Sequence, residues 1–481
     1  MSKALGNRQA ITHFLNRVTY GPRPGDVERV QKIGLQRYLD QQLKPETIPD
    51  RRLEKRLAGL KTLSLSSSEL LERFPPKGRR KMISGGRRPR HIIFELQAAK
   101  LLRAVYSNRQ LYEVMADFWM NHFNVFAFKG ADKWLITAYE QETIRPHSLG
   151  RFHDLLLATA QSPAMLFYLD NWLSVSVKAG RQIQRRRSRR GITKPNPRRG
   201  LNENYAREIL ELHTLGVDGG FTQRDVEEVA RCFTGWTIWK PWREGKFHFD
   251  PRLHDRGEKH VLGVRIPPGR GIEDGMQVID LLARHPSTAR FIATKLLRRF
   301  VSDDPSPPMI SKIANAFQGS GGDIRSVVRT LVESPGFLAP TTYRAKVKKP
   351  LELVSSALRA LGAETDQVRP LLRFLMRMGE PLFLARPPTG YPDVGTSWIG
   401  SDALLTRINF AIGLTANRIP GTRVNTALIR GGAKEIIRLI VPGEISQTTS
   451  EALAGLHHPG RARRGPRQAA FLMASPEFQR R

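Results

Sequence analysis

The stretch LNENYAREILELHTLGVDGGFTQRDVEEVARCFTGWTI, residues 201–238, is typical of two helices joined by a glycine-rich turn. Asn202 is a good N-cap for the first helix, and Gly216 is a good residue at which to end it. Thr222 and Asp225 then make a T-x-x-D start for the second helix. The stretch therefore predicts a helix, a turn and a second helix.

The first of these helices carries polar side chains on more than one side. At about 100° per residue, one arc of its surface holds Asn204, Arg207, Glu208 and Glu211. His213 points the other way. A surface helix normally has one apolar stripe and one solvated face. Two interpretations stay open: a surface held by i,i+4 ion pairs, or a polar arc that faces a cavity.

Helical patterns dominate the rest of the chain. Residues 27–43, for example, are amphipathic at the spacing of a helix. The segment WTIWKPWREGKFHFDPRLHDRGEKHVLG, residues 236–263, instead predicts a small β-hairpin or an irregular insertion. No fixed-period repeat and no run of βαβ units occurs. We therefore predict an all-α fold, one large multi-helix domain over residues 1–481 with a C-terminal helical lobe over residues 340–481.

The chain is strongly basic, with 78 Lys and Arg against 44 Asp and Glu and a formal net charge of +34. Two segments carry much of the excess, a basic Pro/Gly-rich loop at residues 75–92 and an Arg-rich arm at residues 177–200. We expect both to be mobile. Such charge predicts an acidic partner or a polyanion, such as nucleic acid. Solvated loops in an arginine-rich composition are the alternative.

The cysteine count and the hydropathy of the sequence indicate where in the cell the protein is located. Cys232 is the single cysteine, which excludes an internal disulfide framework and a cysteine-based zinc cluster. No run of 18 or more apolar residues occurs, so no transmembrane helix is expected. The first residues contain no long apolar signal segment. We therefore expect a cytoplasmic location.

Residues 111–126, LYEVMADFWMNHFNVF, form a second polar cluster on a predicted helix. Glu113, Asp117 and Asn121 share one face of it, and His122 lies among aromatic residues. A histidine in such a setting is usually a core residue. It becomes a ligand or an acid–base group only where carboxylates converge on it.

Residues 253–263, LHDRGEKHVLG, form a third cluster. The neighbouring side chains of His254 and Asp255, with Lys259 close behind, can hold a metal ion or a phosphate group, or act as an acid–base pair. The standard motifs of zinc proteases, P-loop enzymes, serine hydrolases and dinucleotide-binding proteins are absent. The residues alone therefore indicate a polar site without a reaction class.

Several long stretches share their pattern with one known family. They are FWMNHFNVF, RRGLNENYAREILELHTLGVDGGFTQRDVEEVARCFTGWT, FHFDPRLHDRGEKHVLG, PPTGYPDVGTSWIGSDALLTRINFA and FLMASPEFQRR. Together they resemble the bacterial domain of unknown function 1800 family over nearly the whole chain. The resemblance implies one continuous, mainly helical domain and assigns no reaction.

The resemblance also bears on partners and compartment. Genes of this family often lie beside genes of the domain of unknown function 1501 family, whose sulfatase-like members typically carry a twin-arginine export signal. It implies a sulfatase-like protein of that family as a partner. Members of the family are often exported, so export together with a folded partner is the alternative to a cytoplasmic location.

The family's signature motifs include NHF, NENYARE with LELHTLG, and HD-x-G-x-K. As candidate catalytic residues they supply His122, Glu208, Glu211, His254 and Asp255. As candidate substrate-binding residues they supply Asn121, Asn204, Arg207 and Lys259. Buried polar clusters are usually kept for pairing, ligand binding or chemistry.

Three functions follow from these candidates. The first is a metal-dependent hydrolase or oxidase, with a divalent metal held by His122, Glu208, His254 and Asp255. The second is a non-enzymatic partner or scaffold protein that acts with the sulfatase-like protein. The third is non-specific binding of a polyanion or nucleic acid through the basic arms, because acidic residues in both helices of 201–238 argue against reading DNA with that pair.

Overall fold

A computed structural model describes residues 5–76, 88–189, 200–456 and 461–481. These parts of the chain are mostly helical, which confirms the predicted all-α fold. The helices are α1 (Asn7–Val18), α2 (Asp26–Ile33), α3 (Leu35–Gln42), α4 (Arg51–Leu57), α5 (Ser67–Arg73), α6 (Arg90–Tyr106), α7 (Gln110–His122), α8 (Asp132–Ala138), α9 (Arg145–His147), α10 (Phe152–Gln161), α11 (Pro163–Tyr168), α12 (Val177–Ser188), α13 (Glu203–Glu208), α14 (Gln223–Cys232), α15 (Ile272–Arg284), α16 (Pro286–Phe300), α17 (Pro307–Gly319), α18 (Ile324–Val332), α19 (Pro350–Ala360), α20 (Arg369–Arg377), α21 (Ser401–Thr415), α22 (Ala433–Ile440), α23 (Gln447–Ala454), α24 (Arg461–Ala474) and α25 (Pro476–Gln479).

The helical pair predicted over residues 201–238 is present. The side chain of Asn202 accepts hydrogen bonds from the first backbone amides of α13. A π-helix over Ile209–Thr214 continues α13, and Gly216, at φ 84°, ends it. Thr222 and Asp225 form a reciprocal capping box at the start of α14. Local capping chemistry therefore sets the limits of both helices.

The amphipathic helix predicted over residues 27–43 is instead two helices. Gly34 has φ 86° and ψ 149°, far from helical values, and it separates α2 from α3. Only a residue without a β-carbon adopts this conformation at little cost. The periodicity on either side of Gly34 is helical, but the chain changes direction between the two helices.

The strands form three short antiparallel pairs. They are β1 (Trp236–Trp239) with β2 (Lys246–Phe249), β3 (Lys259–Val261) with β4 (Val264–Ile266), and β5 (Glu364–Thr365) with β6 (Thr422–Arg423). The first two pairs make up the predicted small β insertion, which extends to Ile266 rather than ending at residue 263.

One continuous cluster of buried apolar side chains runs from Ile11 to Phe478, and residues 340–481 contribute to it. Helix α1 is buried against segments from much later in the chain. The ring Nε2 of His13 lies 2.8 Å from the carbonyl oxygen of Phe337, a sequence separation of 324 residues. Arg17 donates a hydrogen bond of 2.7 Å to the carbonyl oxygen of Thr342. The fold is therefore closed by contacts between distant parts of the sequence.

Parts of both predicted basic segments lie outside the described residues. Residues 77–87 of the loop and residues 190–199 of the Arg-rich arm are among these. The described start of the arm is helix α12, and the predicted loop gives way to α6 at Arg90. Among the helices that the structure describes, none combines the length and hydropathy needed to cross a bilayer.

Candidate functional site

His122, of the NHF motif, ends helix α7 and is almost fully buried. Its Nε2 lies 3.0 Å from the carbonyl oxygen of His213, within the π-helix that follows α13. Burial lowers the pKa of His122 well below its ordinary value, and it lowers the pKa of His213 to about 3. Both imidazoles are therefore neutral at physiological pH, and they join the two motifs inside the core.

Asn121, from the same motif, and Asn124, directly after it, hold a loop that follows α20. The side-chain amide of Asn121 donates a 3.0 Å hydrogen bond to the carbonyl of Tyr391 and accepts one of 2.7 Å from its amide. Asn124 donates to the carbonyls of Ala385 and Pro387. The NHF segment thus fixes the position of a loop more than 260 residues away in sequence.

His254 and Lys259 converge on one buried carboxylate. The Nε2 of His254 lies 3.1 Å from Asp274 Oδ2, and the Nζ of Lys259 lies 2.7 Å from the same oxygen. The side chains of all three residues are fully buried. Lys259 also donates to the backbone carbonyls of Asp255 and Gly257. All three of its ammonium protons are thus used within the protein.

Asp255 belongs to a different pair from its neighbour His254. Its carboxylate lies 3.1 Å from the guanidinium of Arg231, which also pairs with Glu228. Burial would raise the pKa of Asp255, but the hydrogen bonds from Arg231 and Gly257 outweigh it and lower the pKa. The adjacent histidine and aspartate therefore have separate partners.

The polar arc of α13 divides between solvent and a half-buried position. Asn204 and Arg207 are exposed, and Arg207 donates to the side chain of Gln223 at 2.7 Å. Glu208 and Glu211 are half-buried, and burial together with the charge of Glu211 raises the pKa of Glu208. The exposed half of the arc thus fits the surface interpretation.

The proposed metal ligands do not come together. Within the residues that the structure describes, no three His, Cys, Asp or Glu side chains lie close enough to hold one metal ion. His122 bonds to a backbone carbonyl, whereas His254 is taken up by Asp274 and Asp255 by Arg231. His254 and Asp255 are thus already paired within the protein, and the four predicted ligands do not form one metal site among the described residues.

Charged side chains instead converge on a small cavity beside α7, which we call the polar cavity. Its volume is about 30 Å³. That is room for about two water molecules or one small polar group. Its lining residues are Lys100, Asp117, Phe118, Met120, Asn121, Asn124, Arg299, Lys349, Glu380, Leu382, Phe383, Tyr391 and Asp393. Three acids and three cations therefore meet at one place.

The local sequence places Glu380 in the polar cavity. Helix α20 ends in a Schellman motif, in which the amide of Gly379 bonds to the carbonyl of Met376 and the amide of Glu380 to that of Leu375. Gly379 has the left-handed conformation that this motif needs, at φ 97°. The carboxylate of Glu380 then accepts a 2.7 Å hydrogen bond from the amide of Leu351, in the first turn of α19.

Glu380 is poised to titrate near neutral pH. It is only 5% exposed, and burial followed by the charge of nearby Asp117 raises its pKa to about 7, although Lys349 and Lys100 act in the opposite direction. Asp117 is itself paired with Lys100 and keeps 20% of its side-chain surface exposed. Within the lining of the polar cavity, Glu380 is therefore more buried than Asp117 or Asp393.

The other charged side chains of the cavity are held by ion pairs. Asp393 lies 2.8 Å from Lys295 and 3.5 Å from Lys349. Burial alone would raise the pKa of Asp393, but these two ammonium groups outweigh it and lower the pKa strongly. The guanidinium of Arg299 lies 3.0 Å from Glu352. Asp393 is therefore ionised wherever Glu380 titrates.

Only part of this site could be predicted from the sequence. Asp117 and Asn121 were placed on one helix face, and both line the polar cavity. Glu380 was missed, although the residues MRMGEP, 376–381, carry the glycine of a helix stop next to an acidic residue. That signal marks a turn and does not indicate which distant side chains surround it.

The substitution Gly390→Ala tests how strongly the contact with Asn121 constrains the loop. Gly390 has φ 71°, and a β-carbon at this position would collide with the carbonyl and side-chain oxygens of Asn121. We expect Gly390→Ala to lower the free energy of unfolding by about 2–4 kcal/mol, from left-handed backbone strain plus overpacking. Urea denaturation followed by circular dichroism measures this.

Gly269→Ala is the matched control for Gly390→Ala. Gly269 has φ 88°, but a β-carbon at this position would have no other atom within 4 Å. The substitution should incur only the backbone strain, about 1–2 kcal/mol. Equal losses in the two variants would show that the Asn121 contact does not constrain the loop.

The fold and the polar cavity define a mostly helical protein with a buried cluster of ionisable side chains. The chain belongs to the family described as Protein of unknown function (DUF1800), whose model matches residues 13–480. No curated protein matches the chain. No solved structure matches it either.

Proposed function

We propose that the protein is an enzyme that carries out acid–base chemistry in the polar cavity, with Glu380 as the proton donor and acceptor. The observation that carries this proposal is a buried carboxylate in a cavity lined by charged side chains, where burial and the charge of Asp117 raise its pKa to about 7. A group with such a pKa is present in both protonation states at neutral pH, which is what general acid–base catalysis requires.

Hydrolysis is the reaction class that this arrangement supports best. The cavity has room for a water molecule beside one polar group of a substrate. Ionised Glu380 takes a proton from that water as its oxygen attacks, and then returns the proton to the leaving group. Lys100 and Lys349 line the same cavity and favour negative charge that develops on the substrate.

The other functions predicted from the sequence remain alternatives to this proposal. A metal-dependent hydrolase or oxidase would need a ligand set that the described residues do not bring together. The sulfatase-like partner, export with that partner, and polyanion binding stay predictions. For the last, α12 supplies exposed Lys178, Arg181 and Arg185, with no acidic residue on the helix.

A substrate screen with a matched variant tests the proposal. Wild-type protein and Glu380→Gln are assayed against panels of esters, phosphate and sulfate esters, glycosides and peptides. We expect turnover of one class, with a rate that changes near pH 7, and a loss of about 100-fold or more in kcat/KM in Glu380→Gln. Glutamine keeps the acceptor for the Leu351 amide, so the fold should be retained.

The control is Glu203→Gln, which removes a half-buried carboxylate that does not line the polar cavity. Its activity should match that of the wild type. Turnover that survives Glu380→Gln with an unchanged pH profile would show that the reaction does not use this carboxylate.

A further inference from the structure

Helix α21 exposes a stripe of large aliphatic side chains, which we call the α21 stripe. It consists of Leu404, Leu405, Ile408 and Ile412, which are between 42% and 60% exposed. The spacing of three of them, i, i+4 and i+8, places them on one helix face. Phe410 and other residues of the opposite face pack into the core. The helix is therefore apolar on two sides, and only one side is covered.

The stripe is unusual for this surface. Eleven large apolar side chains are exposed in the described part of the chain, and six of them lie on or beside α21, the other two being Met376 and Ile399. Single exposed apolar residues are ordinary, but a concentration of them marks a surface that contacts something else.

The charged residues near the stripe indicate which kind of partner it contacts. Helix α20 lies beside α21, with the rings of Phe374 and Phe410 5.3 Å apart. The exposed ionisable residues of the two helices and the turn after α21 are Arg369, Arg373, Arg377, Arg418 and Asp402. None of the four arginines has an ion-pair partner among the residues that the structure describes.

The basic residues favour one of the possible partners of the stripe over another. A second copy of the chain would bring the same arginines together, on molecules that each carry a formal net charge of +34. An anionic lipid surface would attract them, at about 1 kcal/mol for each basic residue near the surface. Aliphatic side chains flanked by basic ones are also the pattern of helices that lie in a membrane interface.

We propose that the α21 stripe docks the protein onto an anionic membrane surface. The aliphatic side chains enter the boundary between head groups and acyl chains, and the arginines of α20 and the turn after α21 contact lipid phosphates. None of the stripe residues and none of these arginines lines the polar cavity, so the docking does not depend on the chemistry proposed there.

Vesicle sedimentation of the full-length chain tests the docking. Vesicles of phosphatidylglycerol mixed equally with phosphatidylcholine are compared with phosphatidylcholine alone, at an ionic strength of about 0.15 M. We expect binding to the first only. Leu405→Ser/Ile408→Ser, which leaves every charge in place, should weaken it about ten-fold or more. Val217→Ser, at an exposed valine elsewhere, is the matched control and should bind like the wild type.

A fluorescent probe reports insertion directly. The single native cysteine, Cys232, is buried, so Ile408→Cys can be labelled with a polarity-sensitive fluorophore. Its emission should shift to the blue when anionic vesicles are added, and the emission of labelled Val217→Cys should not. An unshifted label on vesicle-bound protein would overturn the proposal.

Two further outcomes would also overturn it. Undiminished vesicle binding by Leu405→Ser/Ile408→Ser would mean that the basic surface binds lipid without the stripe. A wild-type dimer in light scattering that this variant converts to a monomer, with no label shift on vesicles, would assign the stripe to a second copy of the chain.

Discussion

Glu380→Gln is expected to make the protein more stable above neutral pH and to lower kcat/KM of the proposed hydrolysis by about 100-fold or more. Burial and Asp117 raise the pKa of Glu380 from 4.5 to about 7. Protonation is therefore easier in the folded state than in the unfolded chain. The stability that this contributes is fully present below about pH 4.5 and is lost as the pH rises through about 7. At about 1.4 kcal/mol per pH unit, a pKa raised from 4.5 to about 7 makes the full loss about 3–4 kcal/mol.

The measurement is the difference in free energy of unfolding between Glu380→Gln and the wild type, from urea denaturation across this pH range. Glutamine does not titrate, so the difference should move in favour of the variant by up to about 3 kcal/mol between pH 4.5 and pH 8. Glu28→Gln is the control. A hydrogen bond from Arg8 lowers the pKa of Glu28, so the contribution of this residue to stability changes only below about pH 4.5. The difference in free energy of unfolding between Glu28→Gln and the wild type should therefore stay constant from about pH 4.5 to pH 8.

This result would establish whether Glu380 titrates near neutral pH, which acid–base chemistry in the polar cavity requires. A carboxylate held at the same pKa for a structural reason would give the same difference in stability. The substrate screen with Glu380→Gln therefore decides the role. A flat pH difference would remove the main support for acid–base chemistry in the polar cavity.

Asp274→Asn is expected to destabilise the protein by about 3–5 kcal/mol, because it leaves the buried ammonium of Lys259 without its carboxylate. In the wild type, hydrogen bonds from His254 and Lys259 lower the pKa of Asp274 against the opposing effect of burial. This stability is therefore present above about pH 4 and is lost as the pH falls. Chemical denaturation at neutral and acidic pH measures both effects.

Glu258→Gln, one residue before Lys259, is the matched control. It breaks an ion pair of similar length with Arg265, but that pair is exposed and its removal should change stability little. A small effect of Asp274→Asn would mean that water reaches Lys259. A large effect would assign the HD-x-G-x-K motif to holding the β3–β4 hairpin in place.

Local chemistry explains why part of the fold was predictable. The caps at Asn202 and Thr222, and the stop at Gly216, each depend on residues within one helical turn, and all three are present. The all-α class followed from periodicity. The break between α2 and α3 at Gly34 could not be predicted in this way, because a glycine inside an amphipathic pattern is compatible with a continuous helix as well as with a turn.

The candidate site was harder to predict because it is assembled from distant segments. Asp117 could be placed on a helix face, but its neighbours Glu380, Asp393 and Arg299 come from other elements. Sequence spacing says nothing about which of these meet. The motif residues also make contacts that their spacing did not predict: Asn121 fixes the loop that carries Asp393, and His122 joins two helices inside the core.

The contacts of α1 have a consequence for biosynthesis. His13 and Arg17 find their partners at Phe337 and Thr342, more than 300 residues later. At ribosomal rates of about 5–20 residues per second, 324 residues take roughly 15–65 s to appear. During that interval α1 cannot occupy its final position, and its apolar face is open to chaperones or to misassembly. Helix α1 is thus synthesised long before the residues that complete its buried polar contacts.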